Sequence, residues 1–124
     1  MKQTILTERA PKPIGPYNQA VKTGTLVFLA GQLGLDLETG KLGEGIKEQT
    51  RLAFRNAKNI LETAGFSLDE VIKVTCLLAS MDDFKAMNEE YATVFAADYP
   101  ARTTYEVARL PMDALIEIEI IASK

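Results

Sequence analysis

An arginine and two glutamates near the end of the chain have the side chains and spacing to do chemistry. Arg102 follows Pro100-Ala101 at the start of a predicted strand. Its guanidinium can donate two parallel hydrogen bonds to a carboxylate, each worth about 1.5–3 kcal/mol. Glu117 and Glu119 alternate with isoleucines in residues 116–120, which places both carboxylates on one strand face, where one can orient a water as general base. A solvated surface arginine and a half-exposed antiparallel strand are the alternative explanations of the same residues.

A tyrosine and the single cysteine are weaker candidates. Tyr17 follows Gly15-Pro16, so a stiff loop presents its hydroxyl to a substrate or a water, although a tyrosine in such a loop more often serves packing. Cys76 lies mid-strand with Val74 and Leu78 as neighbours on the same face. Without a histidine to activate it, we expect a buried structural thiol.

The composition excludes several classes of function. The 124 residues include no histidine, which removes Ser-His-Asp and Cys-His nucleophiles and the commonest zinc sites, and no metal-ligand spacing is present. The net charge is −3, with 14 basic residues scattered among 17 acidic ones, so we do not expect nucleic acid as a main partner. One cysteine, a polar start at residues 1–10 and no apolar run of about 20 residues predict a cytoplasmic protein that does not enter a membrane.

The elements that must position these residues follow from hydrophobic periodicity. The chain reads as one domain, residues 1–124, of the α+β class, with two amphipathic helices on one face of a mixed sheet. The predicted order is β-β-β-α-β-α-β-β, with bounds 3–7, 19–22, 26–30, 46–64, 71–80, 82 or 83 to about 98, 102–109 and 115–122.

The sequence also predicts the burial of one strand, the cap of the second helix and the character of the uncovered sheet face. Residues 26–30 are continuously apolar, which predicts a strand buried on both faces, and Asp82 or Asp83 is expected to cap the second helix. Apolar Tyr105, Val107 and Ile121 are expected on the sheet face away from the helices. Their exposure there favours an oligomer.

Several motifs together resemble the Rid family (YjgF-type) of enamine/imine deaminases. They occur in order over essentially the whole chain: Ala10-Pro-x-x-Ile-Gly-Pro-Tyr17, Ala30-Gly-Gln32, Tyr99-Pro-Ala-Arg102, Glu106-Val-Ala-Arg-Leu-Pro111 and Ile116-Glu-Ile-Glu119. The resemblance implies a chorismate-mutase-like α+β fold with a six-stranded mixed sheet and two helices on one face. It also implies a homotrimer whose sheets form a central barrel, with active sites between subunits.

The resemblance also assigns roles to five residues. It implies that Arg102 binds the substrate carboxylate, that Glu117 positions the attacking water, and that Tyr17 contributes from its loop. Gly31 is expected to supply a backbone contact, and Asn88 to line the pocket.

The chain departs from the family pattern at two positions. Many deaminating members have serine where this chain has Ala30, and cysteine where it has Thr104. Thr104 keeps a small polar group on the strand face of Arg102, so we expect it to contact substrate, whereas the lost hydroxyl at Ala30 is expected to alter affinity or substrate range.

The implied reaction is hydrolysis of small 2-imino or enamine acids, such as 2-aminoacrylate, 2-iminopropanoate and 2-iminobutanoate, to 2-keto acids and ammonia, without metal or cofactor. Two rival functions stay open at this point. One is a non-catalytic protein that binds 2-keto acids, and the other, ranked lower, is a ribonuclease or translation inhibitor.

Overall fold

The computed structural model of the chain describes residues 1–96 and 98–124. Ala97, which the predicted second helix included, lies outside the described residues. The elements are β1 Gln3–Ile5, β2 Ala20–Thr23, β3 Leu26–Leu29, β4 Gln32–Leu33, β5 Leu35–Asp36, β6 Lys41–Leu42, α1 Gly45–Thr63, β7 Val71–Leu78, α2 Phe84–Tyr91, β8 Ala101–Glu106 and β9 Ile116–Ser123. Single 3₁₀ turns cover Leu68–Glu70, Met81–Asp83 and Pro111–Asp113.

The main sheet is mixed, as predicted. Its strand order is β1-β2-β3-β9-β7-β8, and the short β4 also pairs with β9, which adds a seventh strand to the six that were expected. β7 and β8 run parallel, and the other pairs are antiparallel. β5 and β6 form a separate antiparallel hairpin in a segment for which the sequence predicted no strand.

The core lies between one face of this sheet and the two helices, which confirms the α+β class. On β9 the buried residues Ile116, Ile118 and Ile120 alternate with exposed or half-buried ones. Burying such a side chain stabilises the fold by about 1.5–3 kcal/mol. α1 packs a buried stripe that includes Ile60 and Leu61 against this face, and it ends at Thr63, one residue before the predicted bound.

Two details of the prediction were wrong. β3 is buried on one face only, because the single chain covers just one side of its sheet, and Phe28 is 44% exposed. α2 ends at Tyr91 rather than near residue 98, since the chain tightens into i→i−3 bonds and the Thr93 hydroxyl donates to the Glu90 carbonyl (2.7 Å). Asp83 occupies the N-cap of α2, as predicted, but its side chain makes no capping hydrogen bond; the Ser80 hydroxyl accepts from the Asp82 N–H (3.1 Å) in the 3₁₀ turn before the helix.

The sheet face away from the helices carries exposed apolar side chains. Tyr105 on β8 is 49% exposed, and Ile121 on β9 is half-buried opposite Phe28. Val107 follows the end of β8, where its N–H donates to the Leu78 carbonyl (2.9 Å). Within residues 1–96 and 98–124, no helix has the length and apolar content needed to cross a membrane.

Candidate functional site

Glu117 lies in a cleft of about 340 Å³ that we call the Glu117 cleft. The proline-rich loop contributes Tyr17, the segment after β3 contributes Gly31, and the turn before β9 contributes Met112. Three residues singled out from the sequence, Tyr17, Gly31 and Glu117, are therefore brought together within one chain. Met112, which the sequence reading missed, adopts a left-handed backbone (φ 59°) that side chains other than glycine rarely take.

The approach of Gly31 to Glu117 is close enough to require glycine. A methyl group on Gly31 would lie 2.7 Å from the Glu117 carboxyl carbon and 2.9 Å from its Oε2. Both distances are well inside the ordinary contact distance of about 3.5 Å. The glycine thus leaves room for the carboxylate beside the backbone.

The Glu117 carboxylate is a stronger base than an ordinary glutamate. Its partial burial raises its pKa above the usual 4.5, and the like charge of Glu119, two residues along the same strand face, raises the pKa further. The apolar walls of the cleft, which include Leu33 and Leu35, account for the poor solvation. A carboxylate in this state suits general-base work on a water.

Gln19 holds the loop that carries Tyr17, and the sequence reading missed it. Its side chain is 1% exposed; its Oε1 accepts from the Thr7 N–H (2.7 Å), and its amide donates to the carbonyls of Thr7 (3.0 Å) and Pro11 (2.9 Å). The Tyr17 hydroxyl accepts from the Ile14 N–H (3.3 Å), which leaves its proton available to donate. The residue types around Gln19 do not signal this role, because β2, which follows it, is only half apolar.

Arg102 lies in a second, more open pocket that we call the Arg102 pocket, lined by Asn88 and Tyr91 of α2 and by Tyr99. Its guanidinium carbon is 4.7 Å from the centre of the Tyr91 ring and 5.6 Å from that of Phe84. It forms no salt bridge with any carboxylate in the described part of the chain. A guanidinium held by aromatic faces and lacking an acid partner is ready to receive an anion.

Three buried polar atoms lie on the same side of the sheet as Arg102. Asn88 Oδ1, the Tyr91 hydroxyl and Thr104 Oγ1 have no hydrogen-bond partner among residues 1–96 and 98–124. Burial is also the main cause that raises the pKa of Tyr91 to about 12 and that of Cys76 to about 11. Buried polar atoms normally have partners, so these three are free to meet a ligand or water.

Within one chain, Arg102 and Glu117 project from opposite faces of the sheet. Arg102 pairs with buried Val74, so it projects toward the helices. Glu117 alternates with buried Ile116 and Ile118, so it projects away from them. Two strand spacings, about 10 Å, separate β8 from β9. The Glu117 cleft and the Arg102 pocket are therefore separate half-sites in the single chain.

Comparison with known proteins identifies the family. The model of the family described as endoribonuclease L-PSP matches residues 7–124. A RutC family protein of Pyrococcus horikoshii is 57% identical over 100% of this chain and 99% of its own length. The chain belongs to this family. The resemblance to Rid proteins seen in the motifs is confirmed, because the family includes proteins that are named deaminases.

Two such Rid family relatives are similar over nearly the whole chain. Reactive Intermediate Deaminase A of Arabidopsis thaliana is 49% identical over 98% of this chain and 66% of its own length. The 2-iminobutanoate/2-iminopropanoate deaminase of Mus musculus is 43% identical over 98% of this chain and 91% of its own. Among solved structures, Escherichia coli TdcF with bound serine is 41% identical, with a TM-score of 0.95 and 98% of each chain covered.

The two positions at which the chain departs from the Rid family pattern, Thr104 and Ala30, belong to different half-sites. Thr104 pairs with Cys76 on β7, on the same face as Arg102, and its hydroxyl belongs to the Arg102 side of the sheet. Ala30 directly precedes Gly31 and donates its N–H to the Gln19 carbonyl (2.9 Å), so it belongs to the Glu117 side. No group of three or more His, Cys, Asp or Glu residues that could hold a metal ion is present in the described part of the chain.

Proposed function

We propose that this protein hydrolyses small 2-imino acids, and the enamines in equilibrium with them, to 2-keto acids and ammonia. In this proposal Arg102 of one protomer binds the substrate carboxylate. Glu117, Gly31 and Tyr17 of the neighbouring protomer face the imine carbon. The observation that carries the proposal is the Arg102 guanidinium, which lies between aromatic rings without a carboxylate partner in the described residues.

The reaction needs only binding, orientation and proton transfer. Arg102 fixes the carboxylate and with it the adjacent C=N carbon, so that the encounter with water becomes an oriented one. Glu117 accepts a proton from the water as the water oxygen bonds to this carbon, and the imine nitrogen takes a proton from solvent as the C=N double bond becomes single, which gives a carbinolamine. Glu117 then gives its proton to the nitrogen. The C–N bond breaks and ammonia leaves, while the hydroxyl proton passes to solvent and the oxygen forms the C=O bond of the 2-keto acid.

Thr104 and Asn88 complete the carboxylate end of the proposed site. Asn88 Oδ1 and Thr104 Oγ1 are buried on the Arg102 side without partners among the described residues, so a ligand that reaches Arg102 can use them. At the other end, the Tyr17 hydroxyl keeps a proton that can be donated to substrate or water. The bound serine of TdcF, which also carries a carboxylate, supports a ligand of this class.

The opposite orientations of Arg102 and Glu117 support a site shared between protomers, and we propose a homotrimer with the sheets facing inward. The exposed apolar residues Phe28 and Tyr105 on the uncovered sheet face support such an assembly. The single domain, the absence of a cofactor requirement and the cytoplasmic location remain predictions from the sequence.

The experiment is to generate 2-aminoacrylate with a serine dehydratase in the presence of semicarbazide. We expect the wild type to lower semicarbazone formation, and Arg102→Ala to lose about 10²–10³-fold in this effect, because the charge-assisted bonds to the carboxylate are gone. Arg51→Ala is the matched control, since Arg51 lies on the exposed side of α1 beside Glu48. If the wild type leaves trapping unchanged, the protein is not a deaminase of this substrate.

The shared site is tested by mixing two inactive chains. A protomer with Arg102→Ala still offers Glu117, and one with Glu117→Gln still offers Arg102. After equal amounts are unfolded and refolded together, random assembly places an intact pair at about 25% of the interfaces. We expect about a quarter of the wild-type activity to return. No recovery from a mixture shown to exchange subunits would mean that both residues act within one chain.

The two rival functions make different predictions. A keto-acid-binding protein without turnover would bind 2-oxobutanoate through Arg102 and leave the trapping assay unchanged. A ribonuclease has in its favour the description of the matching family, but the chain is acidic and has no histidine. Salt-sensitive RNA binding by the purified protein would support that rival, and its absence at low salt would exclude it.

A further inference from the structure

Among residues 1–96 and 98–124, the guanidinium of Arg102 meets aromatic side chains of α2 rather than an acid. The Tyr91 ring is the nearer of its two aromatic neighbours, at 4.7 Å from ring centre to guanidinium carbon, and Phe84 is at 5.6 Å. Both distances are within the range of about 6 Å over which a cation is attracted to a ring face. An arginine stacked in this way loses freedom without having its N–H groups occupied.

The Tyr91 ring is itself held firmly in place. It is 5% exposed and packs edge-to-face on Phe54 (5.5 Å), tilted on Phe95 (5.3 Å) and stacked on Tyr99 (6.3 Å). Such aromatic pairs contribute about 0.5–1.5 kcal/mol beyond their buried area. The ring therefore offers Arg102 a fixed surface rather than a mobile one.

An acid partner would also have ordered the Arg102 side chain, but it would have competed with the substrate carboxylate for the guanidinium. A carboxylate occupies the edge of the guanidinium, where the parallel N–H donors lie, and a substrate carboxylate would then have to displace it. An aromatic ring occupies only the face and leaves that edge open. This difference explains why a buried tyrosine, and not an acid, stands beside the arginine.

We propose that Tyr91 is a positioning residue that holds the Arg102 guanidinium through its ring face, with its N–H edge open to the substrate carboxylate. The proposal rests on the proposed function in one respect, that Arg102 is the carboxylate anchor. In this role the Tyr91 ring acts through Arg102, and no contact between the Tyr91 hydroxyl and the substrate is required. That hydroxyl has no partner among the described residues, so it is not what holds the guanidinium.

Three variants separate the ring from the hydroxyl and from core packing. Tyr91→Phe keeps the ring and removes the unpartnered hydroxyl, whereas Tyr91→Leu removes the ring face. Phe95→Leu is the matched control, because it deletes another buried ring of the same cluster that is not one of the two facing Arg102. Thermal unfolding and light scattering of each variant establish that it is folded and assembled like the wild type.

The first readout is affinity for 2-oxobutanoate by calorimetry, beside KM and kcat in the trapping assay. For Tyr91→Leu we expect Kd and KM to rise about 3- to 30-fold with kcat within threefold, since a cation–π contact of ordinary strength supports Arg102 before and during reaction. Tyr91→Phe and Phe95→Leu are expected to stay within threefold of wild type in Kd. Wild-type Kd from Tyr91→Leu, or an equal loss in Tyr91→Phe, would overturn the proposal.

The second readout needs neither ligand nor turnover. In NMR spectra, protons of the Arg102 side chain, assigned by their absence in Arg102→Ala, should be shifted upfield by the Tyr91 ring current. The shift is expected to persist in Tyr91→Phe and Phe95→Leu and to be reduced in Tyr91→Leu. Random-coil positions in the wild type would overturn the stacking, whereas upfield shifts with failed deamination would overturn only the proposed function.

Discussion

Replacement of Gly31 by alanine should lower the catalytic rate while leaving the stability of the fold nearly unchanged. The added methyl would lie 2.7 Å from the Glu117 carboxyl carbon, 2.9 Å from Oε2 and 3.0 Å from Cγ. To reach an ordinary contact distance of about 3.5 Å, the carboxylate must withdraw by about 0.8 Å. The end of a half-buried glutamate can do so at little cost, so we expect the free energy of unfolding to change by less than about 1 kcal/mol.

The same displacement of the carboxylate should slow the reaction. A misplacement near 1 Å can cost on the order of 10²-fold, so we expect kcat of Gly31→Ala to fall by about 10- to 100-fold. Affinity for 2-oxobutanoate should change less, since Arg102 is untouched. The assays are the semicarbazide trapping reaction for kcat and urea unfolding for stability.

Gly34→Ala is the informative contrast. A methyl there would run into the backbone of Gln49 in α1, which cannot swing aside, so we expect a loss of about 1–3 kcal/mol in the free energy of unfolding. The reasoning is refuted if Gly31→Ala keeps kcat within twofold of wild type. It is equally refuted if Gly31→Ala loses as much stability as Gly34→Ala.

Four further changes test other parts of the molecule. Glu119→Gln removes the like charge that helps to raise the Glu117 pKa, so the acid limb of kcat/KM should move to lower pH, as a pH–rate profile will show. Because the pKa of Glu117 is raised in the folded protein, its protonated form stabilises the fold below pH 4.5, and this stabilisation is lost as pH rises through the pKa of the folded state. The stability of Glu117→Gln relative to wild type should therefore increase from pH 4 to pH 7, as measured by urea unfolding at each pH. Gln19→Leu leaves the Thr7 and Pro11 carbonyls without their hydrogen-bond donor and should lower the free energy of unfolding by about 2–4 kcal/mol, with faster amide exchange in the loop. Met112→Gly relieves a left-handed backbone and should raise that free energy by about 0.5–1 kcal/mol, whereas a loss on thermal unfolding would mean that the side chain supports the cleft.

The fold was largely predictable because its main signals are local. The alternation in Ile116–Ser123 defines the buried face of β9, and the helical spacing of apolar residues defines α1. The end of α2 was not predictable from periodicity, since Thr93 and its neighbours continue the helical pattern while their hydrogen bonds tighten into a turn. One-sided burial of β3 depends on what covers the sheet, which a continuous apolar run does not reveal.

The candidate site was predictable in its parts and not in its arrangement. Tyr17, Arg102 and Glu117 were singled out by residue type, loop stiffness and resemblance. Their division between two half-sites depends on the parallel pairing of β8 with β7, a contact between distant segments. Tyr91 lies within the bounds predicted for the second helix, yet its stacking on Arg102 follows only from that same pairing.

The separation of Arg102 from Glu117 matters for a protein that has no histidine to serve as its base. A guanidinium next to Glu117 in the same chain would favour the charged carboxylate, lower its pKa and weaken it as a base. In the proposed shared site the neighbour's guanidinium approaches Glu117 only across the interface, and the substrate carboxylate neutralises that positive charge on binding. The base is then strongest when the imine is present, and partial burial together with Glu119 makes Glu117 a stronger base than an ordinary glutamate.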